Sequence, residues 1–465
     1  MRHFKVAIIG GGPGGYVTAL RLKQYNIEAV VFEKERLGGV CLNWGCIPTK
    51  TLVKSSELYS EILEAKEFGI KLENPEIDFE QVYKRKDGVV EKLVSGIEFM
   101  FKKKKMPVIN DTVHTVSKDG EIFTVVSETE SITADYVILA TGSAPSELPF
   151  MKFDHEKILS SKDILSLKKQ PKTLAVVGGG VIGCEFASIF QQIGTKVTIV
   201  EFLPRLLAGE DEEISKRIAM SFKRQKMKLI VGKGVESFEH IEGGIKLNVA
   251  GGKSVEAEQV LVSIGRTPRC EINFEGFDVT RDRGSVQVDE FMRTGVENLF
   301  AIGDLTGKQL LAHTASKQGL VVAEIIKSEV EEIPKNLEPI VYENIPRCTF
   351  TNPEVASVGL TETEAKEKYE EILVGKFPYS ASGKAMGMGN TFGFVKTIAN
   401  KQTGKIIGMH IIGLQASELI AQGAILIGKN ADVHDVEKIV FAHPTLSEII
   451  MESIEDTISL AVHKI

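Results

Sequence analysis

The stretch Phe4-Lys5-Val6-Ala7-Ile8-Ile9-Gly10-Gly11-Gly12-Pro13-Gly14-Gly15 decides how this chain is read. Its first half is a short, mostly apolar run suited to a buried strand. Its second half holds the pattern Gly10-x-Gly12-x-x-Gly15. Helical spacing follows to about Tyr25, and a second apolar run ends at Glu33. The same order recurs downstream: Thr173 to Val177, Gly178-x-Gly180-x-x-Gly183, a helix-like stretch, then Lys196 to Val200 and Glu201. Each acid lies 23 positions after the first glycine, and every landmark is displaced by 168. With 43 glycines in 465 residues, roughly 0.4 such patterns arise by chance, so one alone carries little weight. Two in the same strand–turn–helix context, each with its acid at the same distance, identify two dinucleotide-binding units.

The residue types have physical reasons. The first glycine makes the tight turn, the second lets the backbone approach a pyrophosphate, and the third lets helix pack on strand. The helix N-terminus then faces the phosphates. Glu33 and Glu201 are expected to accept hydrogen bonds from an adenosine ribose. A carboxylate there repels a 2′-phosphate, so Glu201 favours NAD over NADP, with Arg205 four residues later pulling the other way. The runs Tyr136 to Ala140, closing at Thr141-Gly142, and Leu299 to Ile302, closing at Gly303-Asp304, stand where strand ends meet a cofactor in open sheets. Phe79 to Phe101 has helical spacing, and its Val82/Val89/Leu93 stripe is expected to face the core. Beyond about Val341 no glycine fingerprint recurs, and strand-like runs such as Ile406 to Ile412 are followed by helices.

The expected architecture is therefore α/β, with two Rossmann-like dinucleotide-binding domains and a C-terminal α+β interface domain. The expected divisions are 1–147 and 148–269, with one dinucleotide-binding unit each, a central segment 270–340, and 341–465 without a fingerprint.

Composition narrows the classes. A chain of 465 residues suggests about three domains, and 43% hydrophobic with 26% charged residues matches a globular protein. Net charge is −7 and the longest basic run is Lys102 to Lys105, which argues against a nucleic-acid protein and reads as a solvated helix end. No apolar run reaches the roughly 18 residues of a membrane span. Met1-Arg2-His3-Phe4-Lys5 before an uncharged stretch imitates a secretory signal, but the glycine cluster breaks it. The expectation is a soluble, cytoplasmic, unprocessed chain.

Five cysteines in so long a chain are not a disulfide scaffold. Cys184, Cys270 and Cys348 are scattered, whereas Cys41 and Cys46 are neighbours. In a regular helix, residues five apart lie beyond the roughly 7 Å Cα limit for a disulfide, so this pair bridges only across a bend, which Gly45 permits. Pro48 fits a first helical turn, which puts Cys46 near positive partial charge that lowers a thiol pKa. Two unrelated buried thiols, or half a zinc site, are the alternatives. The zinc reading lacks a second ligand pair, and no metal site is expected.

Gly38-Gly39-Val40-Cys41-Leu42-Asn43-Trp44-Gly45-Cys46-Ile47-Pro48-Thr49-Lys50 resembles the active-site segment of the pyridine nucleotide–disulfide oxidoreductases. His443-Pro444-Thr445-Leu446-Ser447-Glu448 resembles that family's catalytic-base motif, and Leu-Ser after Thr445 is closest to its dihydrolipoamide-oxidising members. The likeness spans essentially the whole chain. It implies FAD on the first unit and NAD on the second. It implies Cys46 as the thiolate facing the flavin, Cys41 as the sulfur exchanging with substrate, and His443 as the acid/base oriented by Glu448. Lys50 would lie near the flavin and pair with Glu185 close to the nicotinamide. Asp304, Leu311, Ala312 and His313 would line the FAD site, and Gly265 joins Thr141 and Gly142 among the cofactor-contacting positions. A homodimer with shared active sites is implied too.

Taken alone, His443 before a proline reads as a capping or surface histidine, Lys50 and Glu185 as salt-bridge residues, and His313 as a core histidine. Ser316-Lys317-Gln318 stands where many members have acidic residues, and Thr49 replaces a frequent serine. Glutathione-type reductases show a basic residue near the position of Glu201. Mercuric and larger thioredoxin reductases end in an extra cysteine or selenocysteine pair, where this chain has Ala461-Val462-His463-Lys464-Ile465. A non-catalytic dinucleotide-binding subunit would not need both cysteines, His443 and Glu448. No lipoyl domain precedes Phe4, so the expected partner is a separate lipoyl-bearing protein of a 2-oxo acid dehydrogenase complex or the glycine cleavage system.

Overall fold

The computed structural model describes residues 1–334 and 337–464, so Ile465 of the C-terminal pentapeptide lies outside the described residues. Helices α1 (Pro13–Gln24), α2 (Gly39–Trp44), α3 (Cys46–Glu64), α4 (Phe79–Lys103), α5 (Val181–Gln192), α6 (Glu212–Arg224) and α7 (Ala312–Val330) are set among strands. The chain divides into two compact units. The first comprises Met1–Thr51, Glu80–Ser146 and Gly265–Ile340, and the second Leu52–Phe79, Glu147–Ile264 and Val341–Ile465.

In the first unit, β1 (Arg2–Ile9) runs parallel to β2 (Ala29–Phe32) on one side and to Ser131–Leu139 on the other, with Ile8 opposite Val31 and Ile138. Leu299–Ala301 extends the parallel sheet beyond Ser131–Leu139. Val6, Ala7 and Ile8 are fully buried, which is why a strand covered on both faces reads as a continuous apolar run. Helices α1 and α7 cross closely over this sheet. A methyl group on Gly319 would lie 2.0 Å from the Thr18 Oγ1, so only glycine admits the approach.

Helix α4 departs from its expected packing. Its buried face is Tyr83, Lys86, Val90, Val94, Ile97 and Phe101, while Leu93 is 43% exposed. The helix carries apolar side chains on more than one face. The stripe Val82/Val89/Leu93 has the right period but sits one residue off the face that meets the core.

The second unit repeats the parallel arrangement. Thr173–Val177 lies between Lys196–Glu201 and Gln259–Val262, all parallel. The sequence after Val341 forms a five-stranded antiparallel sheet, in the order Arg347–Thr349, Glu354–Gly359, Ile406–Gly413, Phe394–Asn400, Ile372–Pro378. Helices Ala416–Gly428 and Ser447–Glu455 bury Leu419, Ile420, Ile449 and Ile450 against it. Lys396 in this sheet is 1% exposed, and its ammonium meets Asp211 at 3.1 Å, Glu213 at 3.2 Å and Glu362 at 2.6 Å. Burial alone would push the Lys396 pKa down, and these carboxylates outweigh it and hold it above the ordinary lysine value. Among the described residues, no helix is long and apolar enough to cross a membrane.

Candidate active site

The two glycine turns are built alike. Gly10 (φ +111°) and Gly178 (φ +108°) adopt a backbone conformation that side chains disfavour. A methyl group there would lie 2.2 Å from the Ala140 carbonyl oxygen and 2.5 Å from that of Ser263. A methyl on Gly15 or Gly183 would strike the Gly10 or Gly178 oxygen at 1.8 or 2.0 Å. The middle glycines differ from these. Gly12 and Gly180 cap α1 and α5 in extended conformation, and a methyl on Gly180 would meet nothing within 4 Å. The backbone is thus bare where a diphosphate would rest on a helix N-terminus, as both fingerprints require.

Each acid braces its own turn. Glu33 accepts hydrogen bonds from the Gly11 N–H (2.8 Å) and the Glu35 N–H (2.8 Å). Glu201 accepts from the Gly179 N–H and from the Leu203 N–H (2.6 Å). Burial raises the pKa of Glu33, and the two N–H donors restrain that rise. Arg205, set against NAD by its charge, donates instead to the Ala208 carbonyl (2.8 Å) and the Glu210 carbonyl (3.4 Å). Its guanidinium is tied to its own loop.

The positions expected on the FAD side fall in the first unit. Thr141 Oγ1 donates to the Arg269 carbonyl (2.5 Å), and Gly142 (φ +74°) accepts from the Arg269 N–H (3.0 Å). Asp304 accepts from Ser143 Oγ (2.5 Å), which in turn accepts from Arg266 Nε (2.8 Å). Leu311 caps α7 and Ala312 begins it, with His313 exposed in its first turn rather than in the core. Gly265 (φ +129°) accepts from the Ser146 N–H (3.0 Å). Sequence reasoning missed Ser143, Arg266 and Gln318, whose buried carboxamide accepts the Gly303 N–H at 2.6 Å. Arg266 sits immediately after Gly265 at a strand end, a signal that was available; Gln318 had none.

The thiols straddle a break. Helix α2 carries Cys41 and ends at Trp44, Gly45 turns the chain, and α3 begins at Cys46 with Pro48 in its first turn. A methyl on Gly45 would lie 2.9 Å from the Val40 oxygen, so the bend is tight. Thr49 Oγ1 (2.7 Å) and the Thr49 N–H (3.1 Å) both donate to the Gly45 carbonyl, so threonine serves here as serine would. Both sulfurs are free thiols in contact with each other. The Cys41 pKa is driven far up, first by its hydrogen bond with Cys46, then by burial and by the charge on Cys46, with Lys50 opposing. Cys46 is the sulfur at the helix N-terminus, where positive partial charge favours a thiolate. Tyr16 lies close enough to Cys41 for its hydroxyl pKa to be raised by burial and by that sulfur's charge.

His443 and Glu448 belong to the second unit. His443 Nδ1 lies 2.9 Å from Glu448 Oε1, and the Thr445 N–H donates to Oε2 at 2.8 Å. Burial would raise the Glu448 pKa, but the Thr445 N–H and the His443 ring outweigh it, so the carboxylate stays ionised. The arrangement fixes the His443 tautomer and leaves Nε2 for chemistry. The His443 side chain is 80% exposed. Glu185, on α5 in the same unit, is buried and accepts the Phe350 N–H at 2.9 Å.

The family profile described as pyridine nucleotide-disulphide oxidoreductase matches residues 4–319. The chain belongs to this family. The family's dimerisation domain matches residues 345–454. This pyridine nucleotide–disulfide oxidoreductase is 39% identical to the mitochondrial dihydrolipoyl dehydrogenase of Pisum sativum, over 98% of this chain and 92% of that one. It is 36% identical to the dihydrolipoyl dehydrogenase of Bacillus subtilis (strain 168), over 99% of each chain. Among solved structures, LpdA from Mycobacterium tuberculosis superposes with a TM-score of 0.88 at 25% identity, over 98% of this chain and 99% of that one. RclA, an HOCl-induced flavoprotein disulfide reductase from Escherichia coli, does so at 0.84 and 25%, over 97% and 99%. FAD and NAD(H) are the cofactors of this flavoprotein family, and the dimerisation domain supports a homodimer.

Proposed function

We propose that the chain oxidises the dihydrolipoamide of a lipoyl-bearing protein, with Cys41 and Cys46 as the exchanging pair and His443 as the acid/base. The observation that carries this reading is the thiol pair across the Gly45 bend, with Cys46 at the start of α3. In the oxidised enzyme the pair is a disulfide. A substrate thiolate attacks Cys41 Sγ, the S–S bond breaks, and Cys46 leaves as a thiolate stabilised by the helix N-terminus. His443 Nε2 takes the proton of the second substrate thiol. That sulfur closes the lipoyl disulfide and releases Cys41, which is protonated as its high pKa favours. Two electrons now reside in the cysteine pair; FAD, held by the first glycine unit, would supply the redox chemistry that links this pair to NAD on the second. Overall, dihydrolipoamide and NAD⁺ give lipoamide, NADH and a proton.

In this reading, residues 1–147 and 270–340 hold FAD and 148–269 hold NAD. Gly10, Gly12, Gly15, Glu33, Thr141, Gly142, Asp304 and Leu311 to His313 serve FAD. Gly265 joins these cofactor-contacting positions; Gly178, Gly180, Gly183 and Glu201 serve NAD, with Lys50 on the flavin side and Glu185 on the nicotinamide side. Residues 341–465 bring His443 of one subunit to the thiols of the other. The exposure of His443 supports this, because a general base for half-buried thiols needs cover from water. The proposed location is the cytoplasm, and the partner is the lipoyl carrier of a 2-oxo acid dehydrogenase complex or of glycine cleavage. Turnover of purified enzyme with NAD and dihydrolipoamide, and its absence with NADPH and glutathione disulfide, is the test; the reverse result rejects the reading.

A further inference from the structure

The helix Ser447–Glu455 that carries Glu448 carries a second histidine–carboxylate pair one turn along. Glu448, Glu452 and Glu455 are spaced four and three residues apart, so they share one face of that helix. His443 Nδ1 sits on Glu448 at 2.9 Å, and His463, from the C-terminal tail, sits on Glu452 with Nδ1 at 2.5 Å from Oε1. The His463 backbone N–H also donates to Glu452 Oε2, at 3.3 Å. The Glu452 side chain is 4% exposed, so without His463 it would be a buried carboxylate lacking its cation.

We propose that His463 is a positioning residue for the acid/base pair: it neutralises Glu452 beside Glu448, so that Glu448 alone sets the charge that His443 experiences. This rests on the reading of His443 as the acid/base. The contact with Glu452 raises the His463 pKa first and the Glu452 charge second, and Glu448 and Glu455 add to it, so each of these carboxylates favours the imidazolium. Its charge reaches the first pair in turn, being among the influences that lower the Glu448 pKa. Other charges around the tail are already committed. Lys464 pairs with Asp456 at 2.5 Å, Lys376 with Glu213 at 3.0 Å and Lys216 with Glu212 at 2.9 Å. Arg217, on the same cavity wall as His463, lies over the Phe392 ring at 4.3 Å. None of them takes the place of His463 on Glu452.

The test uses intact holoenzyme and follows reduction by dihydrolipoamide across the acid limb of its pH profile. His463→Gln leaves Glu452 as an extra negative charge one turn from Glu448, which favours the protonated ring of His443. The acid limb is expected to move to higher pH by about half a unit, with the plateau rate kept. Glu452→Gln/His463→Gln, with neither charge, is expected to return the limb to its wild-type place and to fold if the single variant does not. A limb that stays put while the rate falls evenly at every pH makes the tail merely structural and overturns the proposal. A double variant shifted as far as the single one overturns it too. His443→Gln separates the two levels. Loss of the limb there with no shift in His463→Gln rejects only the role of His463, whereas survival of the limb in His443→Gln rejects the assigned base.

Discussion

The two glycine units have the same turn and different sequels. Up to the acid, the second keeps the landmarks of the first at an offset of 168, including the carboxylate bond back to the middle of the glycine run. Then they part. Lys34 and Glu35 follow Glu33, whereas Phe202 and Leu203 follow Glu201, with Phe202 76% exposed. The Gly11 carbonyl accepts from the Gly38 N–H and that of Gly179 from the Leu207 N–H, an offset of 169, so the second loop has gained one residue. From there the first unit runs into α2 and the thiols, and the second into Asp211 and α6. The turn is fixed by contacts that no side chain survives, so it repeats. The loop beyond the acid meets no such constraint, and each unit uses it to build something different.

The largest effect that can break this comparison lies on the first unit's sequel. Cys41→Ser and Cys46→Ser are each expected to abolish dihydrolipoamide turnover. Only Cys41→Ser, which keeps the Cys46 thiolate, is expected to show a long-wavelength absorbance band beside oxidised flavin. The band in Cys46→Ser instead would reverse the assigned roles. Next in size, His443→Gln is expected to slow dithiol oxidation by about 10²–10⁴-fold while reduction by NADH persists, measured by stopped-flow absorbance of each half-reaction. Equal loss in both halves makes His443 structural.

The Lys396 cluster sharpens the second unit's side. Lys396→Met leaves Asp211, Glu213 and Glu362 without their shared cation and is expected to cost about 3–5 kcal/mol in denaturant unfolding. Because the folded-state Lys396 pKa is raised, its stabilisation is complete below the ordinary lysine range and lost as pH rises through the folded value. A melting profile in which wild type and variant converge at neutral pH contradicts this. The smallest effects concern the acids. Glu201→Ala is expected to weaken NAD and narrow its preference over NADP by roughly tenfold, the scale of one charged hydrogen bond. Glu33→Ala is expected to loosen FAD and leave that preference alone. An exchange of the two phenotypes inverts the assignment of the units.

How much of this the sequence carries depends on the range of the cause. The strands Thr173–Val177 and Lys196–Glu201, both turns and the break at Gly45 were legible, because sterics and burial act on neighbours and leave a local pattern. The packing face of α4 was not. Apolar side chains surround that helix, and the choice of Val90 and Val94 over Val89 and Leu93 is made by the surface it meets. The chain of contacts from Arg266 to Ser143 to Asp304 joins residues more than a hundred positions apart and leaves no spacing to read. Gln318 is similar: its partner Gly303 is fifteen residues away across a turn. The cysteine pair and His443-Pro444 were legible as residue types and were expected in different divisions of the chain; the structure carries the thiols in the first unit and His443 in the second.

The proposal in its sharpest form is that the thiols of one subunit work with His443 of the other. Mixing inactive Cys46→Ser with inactive His443→Gln enzyme, and allowing the subunits to exchange, tests it directly. About half of the dimers are then mixed, each with one site intact and one site doubly damaged, so activity is expected to recover to roughly a quarter of wild type. Verified exchange without recovered activity would place each site within a single chain and contradict the account.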